Sequence, residues 1–137
     1  LKDPLFGNLD RIQIVKGWLG ADGQAKERVY DVTWSDDERR DIGAGGRLTP
    51  VGNSVDVERA TWSDDIGEPS LQTVWADPDF DPTKPAFYCA RVIEVPTPRW
   101  TAYDRQRFGV EMSDEVPMTH QERAWTSPIW YTPGSSD

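Results

Sequence analysis

One cysteine, Cys89, and one histidine, His120, serve a chain of 137 residues. A single thiol excludes an internal disulfide and a cysteine zinc cluster. A single imidazole excludes a metal site built from several histidines of this chain. Basic residues are also short: 15 Lys and Arg face 24 Asp and Glu, a net charge of −9. The clustered cations that grip a phosphate backbone are therefore missing, and no nucleic-acid partner is expected. An anionic membrane surface is disfavoured for the same reason, and no apolar run approaches the roughly 18 residues of a spanning helix. The acidity fits a soluble domain, or one that meets cations. A phosphate-cradling glycine loop is lacking too, because Gly43-Ala44-Gly45-Gly46 is not followed by a helix start. No Ser or Cys nucleophile motif surrounds His120, which reads as a surface residue rather than a general base. The sequence opens at Leu1 without an initiator Met or a basic, apolar leader, and reads as a chain whose start has been removed.

Tryptophan, by contrast, is abundant, with seven residues. Its large ring is used in cores, at interfaces and as a stacking platform, and at least half of the seven are expected in a core or a domain interface. The length suits one domain with a core of its own.

Alternation of period two places Ile12, Ile14 and Trp18 on one face of a strand over Arg11–Leu19. The same pattern over Lys26–Trp34 places Tyr30, Val32 and Trp34 on one face. With the turn residues Gly20-Ala21-Asp22-Gly23 between them, residues 11–34 read as a β-hairpin. Residues 35–54, rich in Asp and Gly, read as a long loop. Val55–Trp62 and Leu71–Trp75 predict a third and a fourth strand. Ala86–Val95, the longest apolar run, predicts a central strand buried on both faces, ended by Pro96 and Pro98. Cys89 alternates there with Phe87 and Arg91 and reads as a buried, inert thiol. Thr101–Asp104 has the spacing of a capping box and predicts a short helix to Phe108, and Thr119-His120-Gln121-Glu122 repeats that signature over one turn. The last strand spans Arg123–Tyr131, with Pro128 marking an edge or a bulge. Val29–Asp37 and Val57–Asp65 agree at six positions, as two strands that end alike, each with a buried Trp and an Asp-rich turn. Thr132–Asp137 reads as a frayed end. Six strands and little helix predict an all-β fold, an antiparallel immunoglobulin-like β-sandwich with long loops and one or two short helical turns. The alternative is a sheet that packs on a separate catalytic domain.

Three groups of residues carry chemistry. Asp77, Asp79 and Asp81 stand at alternating positions, so their carboxylates can converge on a hard cation such as calcium. The run lacks the Gly-then-Glu completion of an EF-hand, and its two prolines also fit a plain turn. Asp36-Asp37-Glu38 and Asp64-Asp65 offer paired carboxylates, but exposed turns lack the environment that splits two pKa values for acid–base work. Arg99, Trp100, Tyr103 and Asp104 follow directly on the central strand, where loops on a rigid scaffold carry binding residues. Arg99 suits a carboxylate, phosphate or sulfate because its fork is bidentate. The group reads as a substrate-pocket wall or as an interface with a domain neighbour.

The stretches LDRIQIVKGW, VYDVTWS, VGNSVDV, TVWADPDFDP, AFYCARVIEVPTPRWTAYD and ERAWTSPIWYTP, in that order, span nearly the whole chain. Their combination resembles the C-terminal part of the bacterial domain of unknown function 3604 family. The closing strand is also similar to the end of metal-dependent phosphoesterase-like proteins of the polymerase-and-histidinol-phosphatase type. The resemblance implies a longer parent with an N-terminal barrel of that type. Such a barrel would bind a divalent metal through His and Asp/Glu ligands and activate water for ester hydrolysis. It implies no catalytic residue and no cofactor within residues 1–137, which would be one C-terminal accessory domain. The expected partner is the catalytic domain of the same protein, and the setting periplasmic or secreted. The other reading is an independent module that binds a carbohydrate or another small ligand through Trp100, Tyr103 and Trp75, or an oligomerisation domain.

Overall fold

The computed structural model describes residues 1–134, so the last three residues of the expected frayed end lie outside it. The two alternating segments pair as read. β1 (Leu9–Leu19) and β2 (Ala25–Trp34) run antiparallel, from Leu19 opposite Ala25 to Arg11 opposite Trp34. Gly20 closes the turn, its N–H bonding Gln24 O and its carbonyl accepting from Gly23 N–H, both at 2.9 Å. β3 (Ala86–Glu94) pairs antiparallel with the other edge of β1. The expected central strand is therefore central, although most of it is half-buried rather than sealed, with Ala86 and Ile93 buried. Cys89 within it is half-buried.

After β3 come β4 (Thr97–Pro98), α1 (Trp100–Phe108) and β5 (Thr119–His120). β4 and β5 form a two-stranded antiparallel ribbon. β6 (Arg123–Trp125) and β7 (Ile129–Tyr131) both pair with β3, giving a five-stranded sheet in the order β2-β1-β3 with β6 and β7 sharing the far edge. The break between them contains Pro128, which has no N–H for the ladder. The fold is all-β and antiparallel, sandwich-like, with one short helix.

Three expectations are corrected. Val55–Trp62 does not extend: Asp56 and Thr61 exchange backbone hydrogen bonds, and residues 57–60 turn between them. Asp56 also accepts from the Arg59 N–H, an Asx-type bond that stabilises a turn against a strand. The six-position echo therefore marks one strand end and one turn. Leu71–Trp75 is irregular. Finally, Thr119–Glu122 is no helical turn, because Thr119 and His120 are held in β5.

Two register shifts decide where side chains point. The pairing of β1 with β2 skips Val32, so Tyr30 and Trp34 do not share a face. The pairing of β1 with β3 skips Asp10, which is 1% exposed. Below the shifts, Gln13, Val15 and Gly17 share one face with Asp31, Val29 and Glu27 of β2 and Arg91, Cys89 and Phe87 of β3. Ile14, Lys16 and Trp18 share the other with Tyr30, Arg28 and Lys26 and with Ala90, Tyr88 and Ala86. The irregular segment 75–82 covers this second face: Trp75 packs on Tyr30 with centroids 5.0 Å apart, and Phe80 meets Tyr131 edge-on at 4.9 Å.

The buried apolar set includes Leu9, Val15, Leu48, Ala60, Ile93, Val95 and Ala102. It centres on the end of the sheet near the bulge. There Val95 N–H bonds Asn8 O at 2.8 Å, and Leu9 and Glu68 exchange backbone hydrogen bonds at 2.8 and 3.0 Å. Gly67 sits in this junction at φ +76°, and a Cβ on it would lie 2.5 Å from Val95 and 2.9 Å from the Leu9 carbonyl, so the position admits no side chain. The loop after β2 is pinned to the same end by a buried ion pair, Arg40 Nη2 to Asp10 Oδ1 at 2.6 Å. Arg40 also donates to Thr49 O, Ser35 O and Ser35 Oγ, and Gln121 donates to the second Asp10 oxygen.

Candidate functional site

Helix α1 starts where Pro98 leaves the ribbon. Arg99 is its N-cap in extended backbone (φ −77°, ψ 161°), its N–H bonding Met118 O and its carbonyl accepting from Ala102. The capping box foreseen at Thr101–Asp104 does not form. Thr101 is already inside the helix, and its hydroxyl instead donates to Pro117 O at 2.7 Å, anchoring α1 to the segment before β5. Gly109 closes the helix in the left-handed conformation, donating to Arg105 O. Thr101 and Ala102 are buried, whereas Trp100 is 60% and Tyr103 43% exposed. Among the described residues neither Arg99 nor Asp104 has a side-chain hydrogen bond or ion pair, although both are half-buried. The structure therefore gathers the four sequence-predicted residues on and beside one short helix, with a guanidinium, a carboxylate and two rings unused internally. Phe108, next to Val110, extends this apolar surface.

A second constellation lies on the covered face of the sheet. Lys16 in β1 donates from Nζ to Asp77 Oδ2 at 2.5 Å and to Asp79 O at 2.8 Å, with both pair members nearly buried. Tyr88 of β3 donates to the same Asp77 oxygen at 2.7 Å. Arg28 and Tyr30 of β2 converge on Asp79 Oδ2 at 2.6 and 2.7 Å. Burial pushes the Asp77 carboxyl up, but the hydrogen bonds from Lys16 and Tyr88 outweigh it and hold the group below its ordinary value. Burial, and then the bond to Asp77, push the Tyr88 phenol up to about 12, and burial and Asp79 push Tyr30 higher still. A half-enclosed cavity of about 270 Å³ opens beside this network.

The three aspartates read as a calcium loop or a plain turn are engaged separately. Asp77 faces Lys16, Asp79 faces Arg28, and Asp81 faces Lys84 at 2.8 Å, so each carboxylate has its own cation instead of a shared one. Among the described residues no group of three or more His, Cys, Asp or Glu side chains could hold a metal ion. The paired carboxylates of the turns are dispersed as well: Asp64 pairs with Lys2, and Asp65 accepts from Ser63. His120 Nε2 lies 2.7 Å from Glu122 Oε1. None of the seven tryptophans is fully buried; Trp18, Trp34, Trp62 and Trp75 are half-buried and Trp100, Trp125 and Trp130 exposed. Trp75 lies tilted against Tyr30, with the ring planes 50° apart.

Sequence reading missed Lys16, Arg28 and Tyr88. The signal was present: Lys16 interrupts the apolar face of a strand between Ile14 and Trp18, where a cation is stable only if paired. It also missed the polar chain on the opposite face, in which Arg91 donates to Gln13, Gln13 donates to Asp31 at 2.7 Å, and Arg91 lies 4.9 Å over Trp125.

Among the described residues no helix is long and apolar enough to cross a membrane. No curated protein and no solved structure matches the chain. The profile of one family, described as protein of unknown function (DUF3604), matches residues 1–133. With nearly every residue covered, this chain belongs to the DUF3604 family.

Proposed function

We propose that this chain is the non-catalytic C-terminal segment of a metal-dependent hydrolase, and that it packs on a preceding catalytic barrel and shapes its substrate pocket. The barrel would be of the polymerase-and-histidinol-phosphatase type, and the divalent metal and the activated water belong to it. The observation that carries this reading is the α1 surface. Among the described residues Arg99 and Asp104 are half-buried charges without side-chain partners, and they flank the exposed residues Trp100 and Tyr103 in the chain. Such groups are costly to leave unpaired unless a neighbouring surface completes them, and exposed aromatic clusters mark contact sites. The bidentate fork of Arg99 suits a phosphate or sulfate ester.

The test is to produce the full-length parent with and without residues 1–137, and as Arg99→Ala and Trp100→Ala, and to measure metal content and hydrolysis of phosphate and sulfate esters. Deletion should abolish hydrolysis while the metal is retained. Arg99→Ala should lower kcat/KM by roughly 10²-fold, the scale of losing a positioning contact. Unchanged hydrolysis after deletion would make the domain a separate module and defeat this reading.

A further inference from the structure

The cavity beside Lys16 is independent of the α1 surface, and we infer that it is a binding site for a small neutral sugar-like polyol. Its volume, about 270 Å³, lies just below the roughly 300–1,000 Å³ of drug-sized pockets, so the occupant is of single-ring size. Its charges are balanced before any ligand arrives: Lys16 with Asp77, Arg28 with Asp79, and Lys84 with Asp81 are all paired. A charged ligand would have to compete with one of these pairs, whereas a hydroxyl joins a pair without breaking it.

Hydrogen-bonding capacity remains after the pairs form. An ammonium has three donors and a guanidinium five. Lys16 uses two within the protein, to Asp77 and Asp79, and Arg28 uses one, to Asp79. Asp79 Oδ1 takes no bond from the described side chains, as both Arg28 and Tyr30 bond Oδ2. The lining therefore offers several donors and a carboxylate acceptor, the set that a ring carrying several hydroxyls satisfies. Trp18 and Tyr88 supply the aromatic walls, and the Lys16 ammonium lies 5.4 Å from the Trp18 ring centre and 5.8 Å from that of Tyr88. Aromatic surface beside polar fixtures suits the apolar C–H face and polar rim of a pyranose.

The experiment is saturation-transfer NMR on the whole chain with a panel of neutral pentoses, hexoses and methyl glycosides, and with hexuronic acids as the charged counterpart, at tens-of-millimolar concentration. At least one neutral sugar should show transfer. Arg28→Leu, at the exposed rim, should weaken its binding about tenfold, the loss of one hydrogen bond to a charged group. Trp100→Ala should leave it unchanged. If Arg28→Leu disturbs the fold by near-ultraviolet circular dichroism, Lys84→Gln at the same rim gives the same readout. No transfer from any neutral sugar, binding of hexuronates alone, or binding lost with Trp100→Ala and kept with the rim variants would each overturn the inference.

Discussion

Glu94 shows how one side chain carries a pH dependence. It ends β3 half-buried, and its Oε2 is enclosed without a hydrogen-bond partner among the described residues. Burial, then repulsion from Glu122 and Asp3, raise its carboxyl above the ordinary value. An acid whose pKa is higher folded than unfolded holds its proton more tightly in the native state. Protonation then favours folding, so the group costs stability as pH rises from the unfolded value through the folded one, and returns it as pH falls. Glu94→Gln should therefore raise the urea midpoint at neutral pH and change it little in acid, where Glu94 is protonated in both states. Equal midpoints at neutral pH would show that the buried carboxylate is compensated.

At the scale of elements, the pairing of β1 with β3 depends on a residue that has no side chain. Gly17 stands opposite Phe87, whose ring lies where a Cβ on Gly17 would be, 2.3 Å from the nearest ring carbon. The ring then continues onto Trp130 of β7, with centroids 5.4 Å apart. Glycine weakens a strand on its own, and the aromatic ring laid over it restores the lost packing. Gly17→Ala would displace the ring toward solvent and loosen β7. We expect a cost of about 1–3 kcal/mol, as for overpacking, falling nearly to zero when Phe87→Ala is present. Urea denaturation of the four proteins of this double-mutant cycle measures the coupling; additive costs would mean that the ring does not depend on the vacancy. Helix α1 is the counter-example at its first turn, which is held by Thr101 bonding Pro117 and not by the foreseen capping box.

For the molecule as a whole, the central tie is the Asp10–Arg40 pair. It joins β1 to the long loop after β2, and through Gln121 it reaches the segment between β5 and β6. Both side chains are nearly sealed from water, and the guanidinium makes five hydrogen bonds to Asp10, Ser35 and Thr49. Removing Arg40 leaves the buried Asp10 carboxylate only the more distant Arg11 at 3.4 Å and the Gln121 amide, and breaking a buried pair in this way costs about 3–5 kcal/mol, a large part of a typical domain's stability. Arg40→Met should lower unfolding free energy by that amount and open residues 35–50 to proteolysis. Asp10→Asn with Arg40→Met should cost less than Arg40→Met alone, because no buried carboxylate deprived of its nearest cation then remains. A loss for Arg40→Met below about 1 kcal/mol would match an exposed pair instead.

Local patterns in the sequence determined the hairpin, the central strand, the break at Pro128 and the existence of a helix ending at Phe108. In each case the cause is carried by neighbouring residues: alternation of period two, a run of β-branched and aromatic side chains, a missing N–H, a left-handed glycine after the last turn. The same logic placed Arg99, Trp100, Tyr103 and Asp104 together, because they adjoin one another in the chain. Only the tertiary structure decided the fate of the three aspartates. Their partners, Lys16 and Tyr88 for Asp77 and Arg28 and Tyr30 for Asp79, come from three different strands. A turn rich in carboxylates binds a cation wherever one is delivered, and here the folded sheet delivers Lys16 and Arg28 of the protein itself. The bulges at Asp10 and Val32 were hidden for the same reason. A shifted register is a property of two strands, and neither strand's sequence contains it alone.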